Sequence, residues 1–291
     1  MSGPVCPVCG GATSEAGQKV SARAARTFLL RHCESCRFTF IANPWTDYAK
    51  IYNEDYYFGK GADPLVDYVG EMEHPKDSIR TYEWRGILAA VSSLKPVSAQ
   101  TKWIDYGCGN GMLLKYVREQ THANALGFEE GWIAEEARKS GIEVLKPDEL
   151  AAHAGTCDVV TAIEVLEHVA DPLETLRSIR KLLKPGGLFF YTTGNAQPHR
   201  GRVANWPYCI PEIHISFYEP KTLEYALNAT GFKAEFAGYR PGFTDIIRFK
   251  ALKNLGARER SVLERVMPWG LLSRMLDARL KILRHPVGWA V

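Results

Sequence analysis

The sequence has no uninterrupted apolar run near the roughly 20 residues that a membrane-spanning helix requires, so nothing in it reads as a transmembrane segment. An excess of one charge is missing too. The 36 Lys and Arg stand against 33 Asp and Glu, and a formal net charge of +3 is too small to serve as an electrostatic footprint for nucleic acid. Internal repeats and low-complexity stretches are not evident. The opening residues, MSGPVCPVCG, lack the basic-then-apolar layout of a secretory leader, which makes the cytoplasm the expected location. What is present, 46% hydrophobic and 24% charged residues over 291 positions, is an ordinary globular composition with room for one large core and an appendage.

The seven cysteines are unevenly spread. Cys6, Cys9, Cys33 and Cys36 form two C-x2-C pairs separated by 23 residues, while Cys108, Cys157 and Cys209 are scattered and read as small buried side chains. Each pair offers two thiolates to one tetrahedral ion, and the intervening arm, with apolar Phe28 to Leu30, can fold back as a hairpin. In a chain expected in a reducing compartment this spacing reads as a zinc ribbon rather than as two disulfides. A complete four-thiolate shell leaves no open position, so the ion is expected to be structural, with His32 outside it.

After the ribbon, Trp45 to Tyr68 carries five tyrosines and suits either a cover over a ligand or a linker docked on the core. Asp77 to Leu94 has helical periodicity. From Thr101, strand and helix patterns alternate: "KWIDYG", Met112 to Gln120, "ALGF", Trp132 to Ser140, "IEVL", "DVVTAI", Leu173 to Leu183, "LFFYTT". Such alternation builds a mostly parallel α/β sheet covered by helices on both faces, with ligands beyond the carboxyl ends of the strands. A looser insertion, Gly194 to Ile213, sits where a substrate-covering loop is expected. The helix "EPKTLEYALNAT" then leads to "FKAEFAGY" and "DIIRFKAL", read as two edge strands. The tail from Arg258 to Arg284 is basic and helical, with Val262, Val266, Leu271, Leu272, Met275 and Leu276 on a broad apolar face. Packing on its own domain or on a sister subunit is expected of it, in a monomer or homodimer; peripheral contact with a membrane surface is the alternative.

"WIDYGCGNG" is the most informative stretch. A strand ends at Asp105 and turns through Gly107, Gly109 and Gly111 into a helix, which lets main chain approach a ligand closely. Glu129 follows the next strand, 22 positions after Gly107, where an acid can hold both hydroxyls of a ribose. A dinucleotide fingerprint requires Gly or Ala at its sixth position, and Met112 stands there.

Asp105 with G-x-G-x-G, then "LGFEE", "DVVTAIEVLEHVADP", "LLKPGGLFFYTT" and "HISFYEPKTLEYALNATGF", resembles the class I S-adenosylmethionine-dependent methyltransferases over roughly residues 102–252. The resemblance implies a Rossmann-like, mostly parallel seven-stranded sheet. It also implies that Asp105 and the glycine loop hold the methionine end of the cofactor, Glu129 the ribose, and Asp148 or Glu149 the adenine edge. The expected units are residues 1–44 as ribbon, 45–100 as aromatic segment and helix, 101–252 as catalytic domain and 253–291 as tail.

Methyl transfer needs alignment of acceptor, methyl and sulfur, and a base where the acceptor loses a proton. His168, His199, His214 and Glu164 are the candidates, His214 first, with a structural histidine the alternative. Glu164, Glu167 and His168 form E-x-x-E-H at a strand end and, with His214, make four potential ligands for a second, divalent cation. The same constellation binds a metal in the small-RNA terminal 2'-O-methyltransferases, and "EVLEHV" is similar to the ubiquinone-pathway O-methyltransferases; other relatives carry it without metal. The position where base N-methyltransferases carry a D/N-P-P-Y motif here reads "EVLE", which favours a hydroxyl oxygen or an activated carbon as acceptor. The expected substrate is a small molecule such as a sugar, glycan precursor or secondary metabolite. An RNA methyltransferase and a non-catalytic ribbon adaptor are the alternatives.

Overall fold

A computed structural model of the chain describes residues 4–21, 23–65, 67–281 and 285–291. The N-terminal arm forms the expected hairpin: β1 (Ser14–Ser21) pairs antiparallel with β2 (Arg26–His32), and β3 (Thr39–Ile41) joins the other side of β2. Phe28 and Leu30 are buried while Leu29 faces solvent, the alternation of a half-buried strand. The aromatic segment holds three short helices, α1 (Tyr48–Ile51), α2 (Glu54–Tyr57) and α3 (Tyr68–Glu73). Asn53 and Asp67 cap the latter two by accepting the N–H of Tyr56 and Gly70.

The longer helix α4 (Arg80–Leu94) precedes the alternating region. There the chain runs β4 (Lys102–Tyr106), α5 (Met112–Thr121), β5 (Asn124–Phe128), α6 (Trp132–Lys139), β6 (Val144–Leu145), α7 (Pro147–Leu150), β7 (Cys157–Ile163), α8 (Pro172–Leu182) and β8 (Leu183–Thr192). It ends β9 (Ser216–Phe217), α9 (Pro220–Ala229), β10 (Phe232–Phe236), α10 (Phe243–Asn254), α11 (Val262–Arg265), α12 (Trp269–Leu280) and β11 (Pro286–Ala290). The main sheet has seven strands in the order β10-β11-β8-β7-β4-β5-β6. β4 to β8 are parallel, and β11 lies antiparallel between β8 and β10. This is the Rossmann-like sheet expected. Strand order reverses between β4 and β7, so their carboxyl ends flank a crevice. Successive residues bury on opposite faces: Trp103, Val159 and Leu188 pack with α4 and α5, and Ile104, Val160 and Phe189 with α8 and α9.

Four features depart from the sequence reading. "DIIRFKAL" is not a strand; it lies in α10, where Phe243, Ile246, Phe249 and Leu252 bury at helical spacing. Gly86 admits the close approach of α4, since a Cβ there would lie 2.7 Å from Gly242 O. The last strand of the sheet is supplied by β11, beyond the tail helices; Arg284, where the tail helix was expected to end, lies outside the described residues. The tail's apolar residues also divide, Leu272 packing with Trp269, Phe249 and Leu252 while Val262, Val266, Leu271 and Met275 stay exposed. Finally, β9 pairs with β3, so the ribbon sheet β1-β2-β3-β9 takes its fourth strand from the catalytic region.

Candidate active site

At the end of β4, Gly107, Gly109 and Gly111 all have positive φ, at 76°, 53° and 70°. A Cβ on Gly109 would project to 3.5 Å from the Tyr68 ring, into the groove between loop and aromatic segment. Glu129 faces the loop: its Oε2 accepts the Gly109 N–H at 2.9 Å and its Oε1 the Glu130 N–H at 2.9 Å. Asp105 is buried and accepts a hydrogen bond from Thr161 at 2.7 Å, and Thr161 accepts one from the Trp103 indole at 2.9 Å. Burial pushes the Asp105 carboxyl up to about 8. Opposite the loop, Arg80 donates to Glu71 at 2.9 Å and to Glu83 at 2.5 Å, and Asn110 donates to Glu71 at 3.0 Å. The other oxygen of Glu83 is buried with no protein partner, an orphan acceptor beside the loop. These groups suit the ammonium, carboxylate and ribose of an adenosyl amino acid. Asp105, Gly107, Gly109 and Asn110 line, with Tyr68, Arg80 and Glu83, a cavity of about 40 Å³, and Glu129 lies outside its lining.

Beyond β7, Glu164 has φ 54°, a backbone region that costs a non-glycine residue on the order of 1–3 kcal/mol. Its Oε1 accepts from Lys250 of α10 at 2.7 Å. Burial would raise this carboxyl, but the adjacent Lys250 ammonium holds it at about 2. Glu167 is buried and takes hydrogen bonds from Tyr208 at 2.5 Å and Thr193 at 2.7 Å; burial and then the charge of Glu164 push it up to about 8. His168 Nδ1 lies 2.9 Å from Ile213 O and His214 Nδ1 lies 2.5 Å from Tyr208 O. A carbonyl can only accept, so the His214 ring carries its proton on Nδ1 and keeps its Nε2 lone pair free, while His168 Nδ1 is shared between the Ile213 carbonyl and the Tyr52 hydroxyl, also at 2.9 Å. Burial holds the two imidazoles down to about 3 and 4, neutral at physiological pH. One ligand atom each from Glu167, His168 and His214 lies within 4.8 Å of the others. That donor set, two imidazoles tied to carbonyls and one carboxylate, fits a divalent transition metal and leaves coordination positions open.

Of the four ligands expected there, three converge and Glu164 turns instead to Lys250. Asp148 is exposed on the first turn of α7, and Glu149 is engaged by the Lys146 N–H at 2.8 Å. His199 stacks on Trp206, at 4.4 Å between centroids, outside the cluster. Lys250, Tyr208, Thr193, Arg80 and Glu83 were not foreseen. For Lys250 a signal existed: the spacing Phe243, Ile246, Phe249, Leu252 behind the Pro241-Gly242 turn is helical and puts Lys250 beside the buried face.

In the ribbon, the Sγ atoms of Cys6, Cys9, Cys33 and Cys36 also lie within 4.8 Å of one another, with Cys6 to Cys36 at 3.6 Å and Cys9 to Cys33 at 3.4 Å. A tetrahedron with Zn–S bonds of about 2.3 Å has edges of about 3.8 Å, so the set fits zinc. None of these cysteines is disulfide-bonded. Gly10 and Arg37 follow the two knuckles at φ 72° and 67°, and Gly10 N and Arg37 N donate back to Cys6 O and Cys33 O.

Residues 77–235 match the family described as a methyltransferase domain. Over 103 residues the chain is 42% identical to the ubiquinone biosynthesis O-methyltransferase of Escherichia coli K12 and 43% identical to that of Escherichia fergusonii. These stretches cover 32% of this chain and 43% of each relative, so the match spans less than half the length of those proteins. Among solved structures, a methyltransferase in complex with the Haloferax volcanii Trm112 methyltransferase activator superposes with a TM-score of 0.51 at 18% identity, covering 77% of this chain and 97% of that one. A phosphoethanolamine N-methyltransferase of Haemonchus contortus superposes with a TM-score of 0.50 at 15% identity, covering 86% of this chain and 60% of that one. At these identities the likeness is one of fold.

Proposed function

The chain belongs to the class I S-adenosylmethionine-dependent methyltransferases, and from that premise we propose that it methylates a hydroxyl oxygen, or a carbon activated by one, on a small molecule. Gly107, Gly109, Gly111 and Asp105 receive the methionine end of the cofactor, with Arg80 for its carboxylate and the orphan oxygen of Glu83 for its ammonium. Glu129 exchanges its bonds to loop N–H groups for the ribose hydroxyls. Glu149 is committed to the α7 N-terminus, which leaves Asp148 for the adenine amino group. S-adenosylmethionine in this cradle supplies a sulfonium methyl for in-line displacement. Tyr57, stacked on Trp132 at 5.7 Å, and Tyr68 close over it; a cavity of about 40 Å³ admits a nucleoside only when this cover moves outward.

The observation that carries the acceptor reading is the convergence of one ligand atom each from His168 and His214 with buried Glu167, next to the crevice end of β7. A divalent ion held by Glu167, His168 and His214 would lower the pKa of an acceptor hydroxyl. Tyr208 and Thr193 fix the Glu167 carboxylate, and Lys250 keeps Glu164 ionised beside it. The four ribbon thiolates hold a structural zinc. The test is methyl transfer from tritium-labelled S-adenosylmethionine to a panel of catechols, sugars and total RNA, with and without Mn²⁺. Label in a small hydroxyl compound, dependent on Mn²⁺, is expected. Label confined to RNA, or transfer indifferent to divalent ions, contradicts the reading.

A further inference from the structure

The ribbon and the Glu167–His168–His214 cluster are connected by an unbroken path of main-chain hydrogen bonds. Thr39 and Phe40 of β3 pair with Phe217 and Ser216 of β9, and the Ile41 N–H donates to Ile215 O at 2.9 Å. From the same segment the Ile215 N–H donates to Glu167 O at 2.8 Å and the Ser216 hydroxyl to Val169 O at 3.1 Å. On the ribbon side, Thr222 at the start of α9 donates to the carbonyl of Cys36, itself a thiolate ligand, at 2.8 Å. Lys19 and Ser21 of β1 reach Trp206 O and Glu212.

Every member of the cluster is hydrogen-bonded to this insertion, with Thr193 also on Glu167 and Tyr52 also on His168. Tyr208 supplies the hydroxyl that holds Glu167 and the carbonyl that holds His214, and Ile213 supplies the carbonyl that holds His168. The insertion in turn has the ribbon for its core: Phe28, Leu30 and Ile41 pack with Ala196, Val203, Cys209, Ile215 and Phe217. The donor side is different. Asp105, the glycine loop and Glu129 take their partners from residues 68, 71, 128, 130 and 161, and no hydrogen bond among the described residues ties them to the ribbon.

We propose that metal binding by Cys6, Cys9, Cys33 and Cys36 sets the geometry of the acceptor-side cluster, with β3 and β9 as the positioning elements, while the cofactor cradle, which among the described residues meets the ribbon only through the apolar core around Ile104 and Leu126, keeps its geometry without that metal. Without its metal the arm keeps its packing on the catalytic region but loses the binding energy that fixes its two knuckles, which weakens β1 to β3. With β3 lost, residues 208–217 lose both their strand partner and their apolar floor; His214 then loses the carbonyl that aims it, and Glu167 and His168 each keep one hydrogen bond, from Thr193 and Tyr52. The inference rests on the reading of that cluster as the acceptor site. It adds that ribbon occupancy controls it, so that oxidation or removal of the thiolate metal would silence transfer with the cofactor still bound.

The test compares the full zinc-loaded chain with the Cys33→Ser/Cys36→Ser variant. Hydrogen exchange should accelerate in residues 208–217, and Mn²⁺ binding should weaken by about 10-fold or more, while affinity for S-adenosylhomocysteine and protection of residues 102–130 stay unchanged. Where that variant fails to fold, Thr222→Val keeps all four thiols. It should retain zinc yet weaken Mn²⁺ by about 3- to 10-fold, through loss of the bond to Cys36 O and of the one accepted from Glu219 N–H, with Thr222→Ser restoring both. Unchanged exchange at 208–217 overturns the proposal. So does a parallel loss of S-adenosylhomocysteine binding, which would make the ribbon a general support. Absence of Mn²⁺ binding in the wild type counts against the divalent-ion reading alone; the exchange data decide the coupling by themselves.

Discussion

Among the described residues, metal-ligand atoms gather in two places, and the two differ in the kind and number of their ligands. The ribbon cluster uses four thiolates from two knuckles, a closed shell of one chemical kind. The second cluster mixes one carboxylate with two imidazoles, drawn from residues 167–168 and from 214 across an intervening helix, strand and loop. Its ligands are aimed by carbonyls and hydroxyls of a segment that the first cluster holds in place. A complete soft shell is architecture; an incomplete mixed shell beside a cofactor crevice is a place for chemistry.

The largest effect expected from breaking this contrast comes from the ribbon. Cys33→Ser/Cys36→Ser should abolish zinc retention and lower the melting temperature by roughly 10 °C, a few kcal/mol at about 2–4 °C each, read by metal analysis and thermal unfolding. His214→Ala should reduce methyl transfer by about 10² or more, yet leave zinc content and S-adenosylhomocysteine affinity intact; equal damage to all three would erase the distinction between the clusters. Glu129→Ala tests the opposite half. It should weaken S-adenosylhomocysteine by roughly 10- to 100-fold in calorimetry, the worth of hydrogen bonds to a charged group, without altering Mn²⁺ binding.

The smallest effect concerns Asp105. Its carboxyl is raised by burial to about 8, so the folded chain without cofactor holds that proton more tightly than the unfolded chain. The stability this contributes is fully present below the unfolded value near 4 and is lost as pH rises through about 8. Asp105→Asn should flatten that decline between pH 5 and 8 in chemical denaturation curves. A slope identical in both proteins would show Asp105 ionised throughout.

The same contrast explains what could be read in advance. Cys6, Cys9, Cys33 and Cys36 announce themselves because tetrahedral thiolate binding is local, two ligands per tight turn. The glycine loop and Glu129 are legible because strand, turn and helix must follow one another within a single βαβ unit. His214 was placed with E-x-x-E-H, but Glu164 was assigned to the metal because nothing in the sequence reveals that Lys250 would reach it from α10. The sequence of that helix reads as a strand: "DIIRFKAL" is rich in β-branched and aromatic residues, and packing against α4 through Gly86 outweighs that propensity. β11 escaped notice because a short antiparallel strand is specified by its neighbours β8 and β10, not by its own composition. The β3–β9 pairing was equally hidden, as register between segments far apart in sequence leaves no local trace.

The most direct measurement is anomalous X-ray diffraction from crystals of the full chain grown with S-adenosylhomocysteine and Mn²⁺. The account predicts a manganese peak bounded by Glu167, His168 and His214, with the nucleoside along Gly107 to Gly111 and its ribose on Glu129. Nucleoside density there, with no manganese at the cluster and the His214 Nε2 turned to the sulfur, would contradict it.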